Sequence, residues 1–167
     1  MPRSHKPRKR YVPKRADHFA IAGNTIVRAR TRQCTAPLDD TQLRDLAIGY
    51  HGALDSMRRG AATGDDFTTL ALGANVALVL CELGLGEEWI DKVKQGQDAL
   101  VCLQARSAKL RGRYVLTGGE LQALQAMLEL HDAQLASPDC TQGMLSACLV
   151  EITRRMHAGD VLEAQAA

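Results

Sequence analysis

The stretch Leu70–Cys81 is almost entirely apolar, and Asn75 is its only strongly polar residue. Such a run is typical either of a buried parallel strand or of a helix inside a bundle. The length from Asp66 to Leu83 and the alanine content favour the helix. We therefore predict a helix that is buried on most of its sides, with Asn75 as a core amide whose hydrogen bonds are satisfied.

Four further segments repeat apolar residues at spacings of three and four, which is the pattern of one helix face. Short joints separate them, and no segment is a confident strand. The sequence therefore predicts an all-α fold, a single compact bundle of about five helices over residues 33–160, with residues 161–167 frayed. The expected bounds are about 40–59, 87–113 with a break near Gly96, the Thr117 capping box to Ser137, and a cap at Asp139 or Thr141 to Gly159.

The charge of the 167-residue chain is divided into two blocks, although its net charge is only +2. Residues 1–32 hold ten Lys and Arg residues against the single acid Asp17, a net charge of +9. Residues 33–167 hold eleven bases and eighteen acids, a net charge of −7. Like charges, three prolines and few apolar groups disfavour a packed structure at the front. We predict that 1–32 is an extended basic arm, mobile at 1–16, with an extended segment or small hairpin at 19–27.

The basic arm predicts contact with nucleic acid. Cations that neutralise phosphates release condensed counterions, which gives an affinity that is independent of base sequence and sensitive to salt. Three bases near the end of the third helix share one helix face with one another if that helix continues far enough, although bases also suit a helix C-terminus. The predicted nucleic-acid-binding residues are Arg3, Lys6, Arg8, Lys9, Arg10, Lys14, Arg15, Arg28, Arg30, Arg32, Arg106, Lys109 and Arg113.

Two other roles for the arm remain open. It could dock on an acidic protein partner, or it could serve only as a solubilising tail. A protein-interaction module, such as an inhibitor of host machinery or a self-assembling structural component, is the main alternative to nucleic-acid binding. The apolar helix at 70–83 favours that alternative, because five helices need not cover it fully and a homo-oligomer could.

The sequence carries no recognisable catalytic, cofactor or metal motif. Phosphate-binding loops, zinc-protease and nucleophile-elbow patterns are absent, and His51 with Asp55 is expected to be a surface pair at helical spacing. Five widely spread cysteines include no C-x-x-C pair. We expect Cys81, Cys102 and Cys148 to be small buried residues in a reducing compartment. We therefore expect a non-enzymatic protein without cofactor or metal.

We expect neither a membrane span nor a secretory signal. No apolar run reaches about 18 residues, and the basic start has no apolar region behind it.

Four stretches together are similar to small helical proteins of bacteriophages, prophages and plasmids of proteobacteria. They are Lys6–Tyr11, Leu70–Glu82, Arg111–Glu120 and Leu128–Leu135. The resemblance covers most of the chain and supplies no catalytic residues. It implies a location in the bacterial cytoplasm and an accessory role in a mobile element.

Overall fold

The computed structural model describes residues 34–159 and leaves 1–33 and 160–167 undescribed. Within the described range the chain is all-α and compact, as predicted, and no β-strand forms beyond one isolated bridge between Pro37 and Thr141. The predictions for 1–32, 19–27 and 161–167 lie outside these residues. The helices are α1 (Asp40–Arg58), α2 (Gly64–Glu82), α3 (Ile90–Lys109), α4 (Gly118–Leu135) and α5 (Gln142–Ala158), and a 3₁₀ turn, Glu87–Trp89, leads into α3.

Side-chain caps fix where most of the helices begin. The predicted capping box at the start of α4 is confirmed, since the Thr117 amide donates to Glu120 Oε2 at 2.7 Å and the Glu120 amide donates to Thr117 Oγ1 at 3.3 Å. Equivalent boxes begin α1 and α2. Of the two caps considered for α5, the structure uses Thr141, whose hydroxyl accepts from the Met144 amide at 3.2 Å.

Helix α2 is the central element of the bundle, because it packs against α1, α3, α4 and α5. Leu70, Ala77 and Leu80 on α2 have no exposed surface, which confirms the predicted burial. Among residues 34–159, α2 is the one helix long and apolar enough to cross a membrane, with a mean hydropathy of 1.2. The sequence prediction overlooked this property. The contacts with four neighbours are those expected of a core helix in a folded domain.

Helix α3 differs from its prediction at two points. It is not broken at Gly96, which instead lies buried in close contact with Met127 of α4. It also ends at Lys109 and does not continue to Arg113. The backbone turns left-handed at Arg111 (φ 56°) and Gly112 (φ 83°), which ends the helical path.

The predicted pair between His51 and Asp55 is wrong. His51 Nε2 lies 2.7 Å from Asp132 Oδ2 of α4, so the histidine bridges two helices. Asp55 binds the two arginines that follow it, Arg58 and Arg59. His51 therefore pairs with a residue of another helix, although its spacing from Asp55 would also allow a pair within α1.

The cysteines are all free within the described range, and their burial was predicted in part. Cys81 and Cys148 are buried as expected, and burial raises the pKa of the Cys148 thiol to about 11. The expectation for Cys102 is wrong, because this residue is exposed. The inner face of α3 includes Leu100 and Leu103, and position 102 lies away from it.

Candidate functional site

The basic residues predicted to bind nucleic acid fall into two groups. The ten in 1–32 lie outside the described residues. The other three lie on or after α3, but they do not share one helix face, because α3 ends before Arg113. The condition for a common face of Arg106, Lys109 and Arg113 is therefore not met, and their proposed role in binding stays a prediction.

Arg106 has a structural partner. Its guanidinium makes a two-pronged ion pair with Glu120 and also donates to the Val115 carbonyl at 2.7 Å. The pair is mostly shielded, with side-chain exposures of 31% and 11%. The hydrogen bonds to Arg106 lower the pKa of Glu120, and those to Glu120 raise the pKa of Arg106. Arg106 thus fastens the end of α3 to the start of α4.

Lys109 and Arg113 are exposed at the junction between α3 and α4. Arg111, between them, is exposed as well. Three cations within five positions form a small basic cluster, which we call the junction cluster. It lies beside the C-terminal end of α3, where positive charge also offsets the helix dipole.

Other arginines of the helical domain pair with carboxylates of the same domain. Arg155 on α5 binds Glu82 at the end of α2 as well as Glu151 one turn earlier. Arg154 also binds Glu151, and the hydrogen bonds from these two arginines lower the pKa of Glu151 to about 2. These pairs neutralise positive charge on the domain itself.

A cluster of polar side chains is buried in the interior of the domain, where α1, α2 and α4 meet. Gln134 Nε2 donates to the carbonyls of Ala77 (3.1 Å) and Leu85 (2.8 Å). Its Oε1 accepts from His131 Nδ1 at 3.3 Å, which places the proton on that nitrogen. The His131 ring lies 5.2 Å from that of Tyr50, and its Nε2 is buried without a partner in the described structure. No sequence motif indicated this cluster.

A cleft opens where α3 and α5 flank α2. Its volume is about 430 Å³. Ala71 and Leu78 of α2 contribute to its floor, Val101 of α3 lines one wall, and Ile152 and Met156 of α5 line the other. The lining is mainly apolar, as in many small-molecule sites.

Three amide side chains line this cleft, the exposed Gln104 and the hydrogen-bonded pair Asn75 and Gln97. Gln97 Nε2 donates to Asn75 Oδ1 at 2.9 Å, and Gln97 is only 5% exposed. The sequence singled out Asn75 as a polar residue in an apolar helix and predicted it to be satisfied. It missed Gln97, because the two are 22 positions apart and only the packing of α2 on α3 brings them together.

The charged residues around the cleft carry both signs. Lys94 and Asp98 lie one helical turn apart on α3, and Arg155 lies on the α5 side, where two carboxylates already pair with it. The cleft therefore has no strong net field of either sign.

Residues 34–159 include no group of three or more His, Cys, Asp or Glu side chains placed to hold a metal ion. Comparisons with protein-family models, with curated proteins and with solved structures find no match to this chain.

Proposed function

We propose that this protein binds nucleic acid through the basic segment 1–32, and that the helical domain is its folded, non-enzymatic body. The observation that carries the proposal is the separation of charge, with a net +9 in residues 1–32 against −7 in the rest. Binding through phosphates needs such a concentration of cations and no base-reading fold.

The ion pairs of the helical domain support this division of roles. Five of its eleven Lys and Arg residues bind carboxylates of the same domain. Phosphate binding by those arginines would compete with these pairs. The junction cluster of Lys109, Arg111 and Arg113 groups three exposed cations within five positions of the domain, and we assign it a secondary contact to the phosphate backbone.

The resemblance to small proteins of bacteriophages and plasmids supplies a setting for this activity. In a bacterial cytoplasm, a basic accessory protein of a mobile element would serve replication, transcriptional control or packaging.

The experiment is a binding titration of the full chain with a labelled DNA duplex and a labelled single strand. A variant with the ten Lys and Arg residues of 1–32 changed to Gln is compared with the double variant Arg44→Gln, Lys92→Gln, which removes exposed domain charges. We expect the wild-type affinity to fall by a factor of ten or more between about 50 and 200 mM salt. The segment variant should lose most of the binding and of the salt slope, and the control should keep both. Salt-insensitive binding, or full binding by the segment variant, would refute the proposal.

A protein-interaction role is the second candidate, and α5 favours it. This helix packs mainly on α2 and leaves three apolar residues open, Leu149 (47% exposed), Val150 (71%) and Met156 (64%). An acidic partner for 1–32 or a second copy on α5 would both fit this role. Light scattering of nuclease-treated protein discriminates the versions, since a single-chain mass rules out self-assembly.

A further inference from the structure

The cleft over α2 has the size and lining of a small-molecule site. Its volume of about 430 Å³ lies within the range of roughly 300–1,000 Å³ that such sites occupy. The helix that forms its floor is the core helix α2, which packs against four others, so the site has a rigid base. All the lining residues named here belong to the described helical domain, so the inference does not rest on the function proposed for segment 1–32.

The amide pair inside the cleft has unused hydrogen-bonding capacity. The bond from Gln97 Nε2 to Asn75 Oδ1 leaves Asn75 Nδ2 as a donor and Gln97 Oε1 as an acceptor. Neither atom has a hydrogen-bond partner within residues 34–159. Both atoms also keep some contact with solvent. Within the described residues, His131 Nε2 is the side-chain nitrogen or oxygen that is fully buried without a hydrogen-bond partner, and neither of these two atoms is. Because Asn75 and Gln97 both line the cleft, a donor and an acceptor are available to a ligand there.

This pairing of a donor with an acceptor selects among ligand chemistries. A carboxylate would accept from Asn75 but would place a second acceptor against Gln97 Oε1, and an ammonium would repel the Asn75 donor in the same way. An amide group presents one N–H and one C=O and satisfies both. Lys94 and Asp98 line the cleft with opposite charges, and Arg155 already binds two carboxylates, so the lining has no net charge that would favour an ionic ligand over a neutral one.

We infer that the cleft binds a small, neutral, largely apolar molecule with a carboxamide or lactam group. The amide of the ligand pairs with Asn75 Nδ2 and Gln97 Oε1. Its apolar part lies between Ala71 and Leu78 of α2 and the opposing side chains of α3 and α5, Val101 and Ile152. Burial of this part supplies affinity, and the amide pair supplies specificity.

The probe for this site is 2-naphthamide, and 2-naphthoate is its matched comparison, because the two share a ring system and differ in the polar group. The full chain is titrated by calorimetry and by NMR of the side-chain NH₂ groups. We expect 2-naphthamide to shift the NH₂ signals of Asn75 and Gln97 and to bind about tenfold more tightly than 2-naphthoate.

Two variants test the assignment, and a third is the control. Gln97→Met keeps the length of the side chain but removes the acceptor, and Asn75→Leu removes the donor; each also breaks the hydrogen bond between the two amides. Each should weaken 2-naphthamide about three- to tenfold. Gln95→Met changes an exposed glutamine of the same helix and should bind as the wild type. Circular dichroism and the unfolding midpoint confirm that each variant is folded.

Three outcomes would overturn the inference. The first is no shift of the two NH₂ groups at millimolar 2-naphthamide. The second is equal affinity for both probes, or wild-type affinity in folded Gln97→Met and Asn75→Leu. The third is a free protein that is dimeric by light scattering and dissociates when 2-naphthamide is added, which would show that a second copy occupies the cleft.

Discussion

Gly96 of α3 and Met127 of α4 are in such close contact that no side chain fits between them. A Cβ atom at position 96 would lie 2.6 Å from Sδ and 2.8 Å from Cβ of Met127, which is itself fully buried. The missing side chain allows α3 and α4 to pack closely, which is a purpose that glycine serves inside a helix.

The substitution Gly96→Ala is therefore expected to destabilise the domain. Alanine gains about 1 kcal/mol of helix propensity over glycine, but overpacking of a close-packed core costs about 1–3 kcal/mol. Because the Met127 Cβ cannot rotate away, the clash should dominate, with a net loss of about 1–2 kcal/mol in urea unfolding. Gly49→Ala on α1, where a new Cβ meets nothing within 4 Å, is the control and should stabilise by about 0.5–1 kcal/mol. A stabilised Gly96→Ala protein would contradict this packing.

The amide of Gln134 satisfies the Leu85 carbonyl, which lies outside any helix. Gln134→Met keeps the volume but leaves this carbonyl and the Nδ1–H of His131 without their partner. We expect a loss of about 1–3 kcal/mol in the free energy of unfolding, because unpaired buried polar groups bear their full desolvation cost. The same exchange at the exposed Gln125 on α4 should have little effect. Equal unfolding midpoints for the two variants would refute the role of Gln134.

The ion pair between Arg106 and Glu120 can be tested separately from the helix cap. Glu120→Gln keeps an acceptor for the Thr117 amide, since glutamine also serves in capping boxes. It removes the charge that binds Arg106. We expect a loss of about 1–2 kcal/mol at pH 7 by urea unfolding, from a charge-assisted bond that is partly shielded from water. Because the pKa of Glu120 is lowered in the folded state, the wild-type advantage should shrink once the pH falls below the ordinary value of 4.5 and disappear as the pH falls through the lowered pKa. A difference that persists in acid would point to a packing effect.

Local signals in the sequence predict where most of the helices lie, but they do not predict the contacts between the helices. The Thr117 cap and the apolar run 70–81 were predicted because capping and burial depend on residues close in the chain. The end of α3 was placed too late, because the left-handed turn already begins at Arg111, which is not a glycine, one residue before the helix-stop residue Gly112. Gly96 was interpreted as a helix break because the residue that requires a glycine there, Met127, lies on another helix.

The candidate cleft shows the same division more sharply. A polar residue in an apolar helix drew attention to Asn75, which is a local signal. Its partner Gln97 and the opposing Ile152 come from two other helices, so the cleft exists only after α2, α3 and α5 have packed. In the same way, the sequence suggested that Arg106 is a solvated base at a helix end, whereas the packing of α3 and α4 places it in an ion pair with Glu120. Sequence spacing cannot show such contacts between helices.

The buried His131 should make the stability of the domain depend on pH. Its ring has no exposed surface, and burial lowers its pKa below the ordinary value of 6.5, against a smaller opposing effect from the hydrogen bond to Gln134. Asp132 and Tyr50 are the titratable neighbours, and neither forms a hydrogen bond with the ring in the described structure. In the folded protein the imidazole is therefore neutral at pH 7, with its proton on Nδ1.

Below pH 6.5 the unfolded chain takes up a proton at this histidine and the folded chain does not. The free energy of unfolding should therefore fall as the pH decreases from about 6.5 towards the lowered pKa of the folded state, with a slope of up to about 1.4 kcal/mol per pH unit. His131→Leu should flatten this slope, because it removes the titrating group, whereas the exposed His157→Gln should keep it. Urea unfolding over this pH range measures the difference. An unchanged slope in His131→Leu would show that another group is responsible for the loss of stability in mild acid.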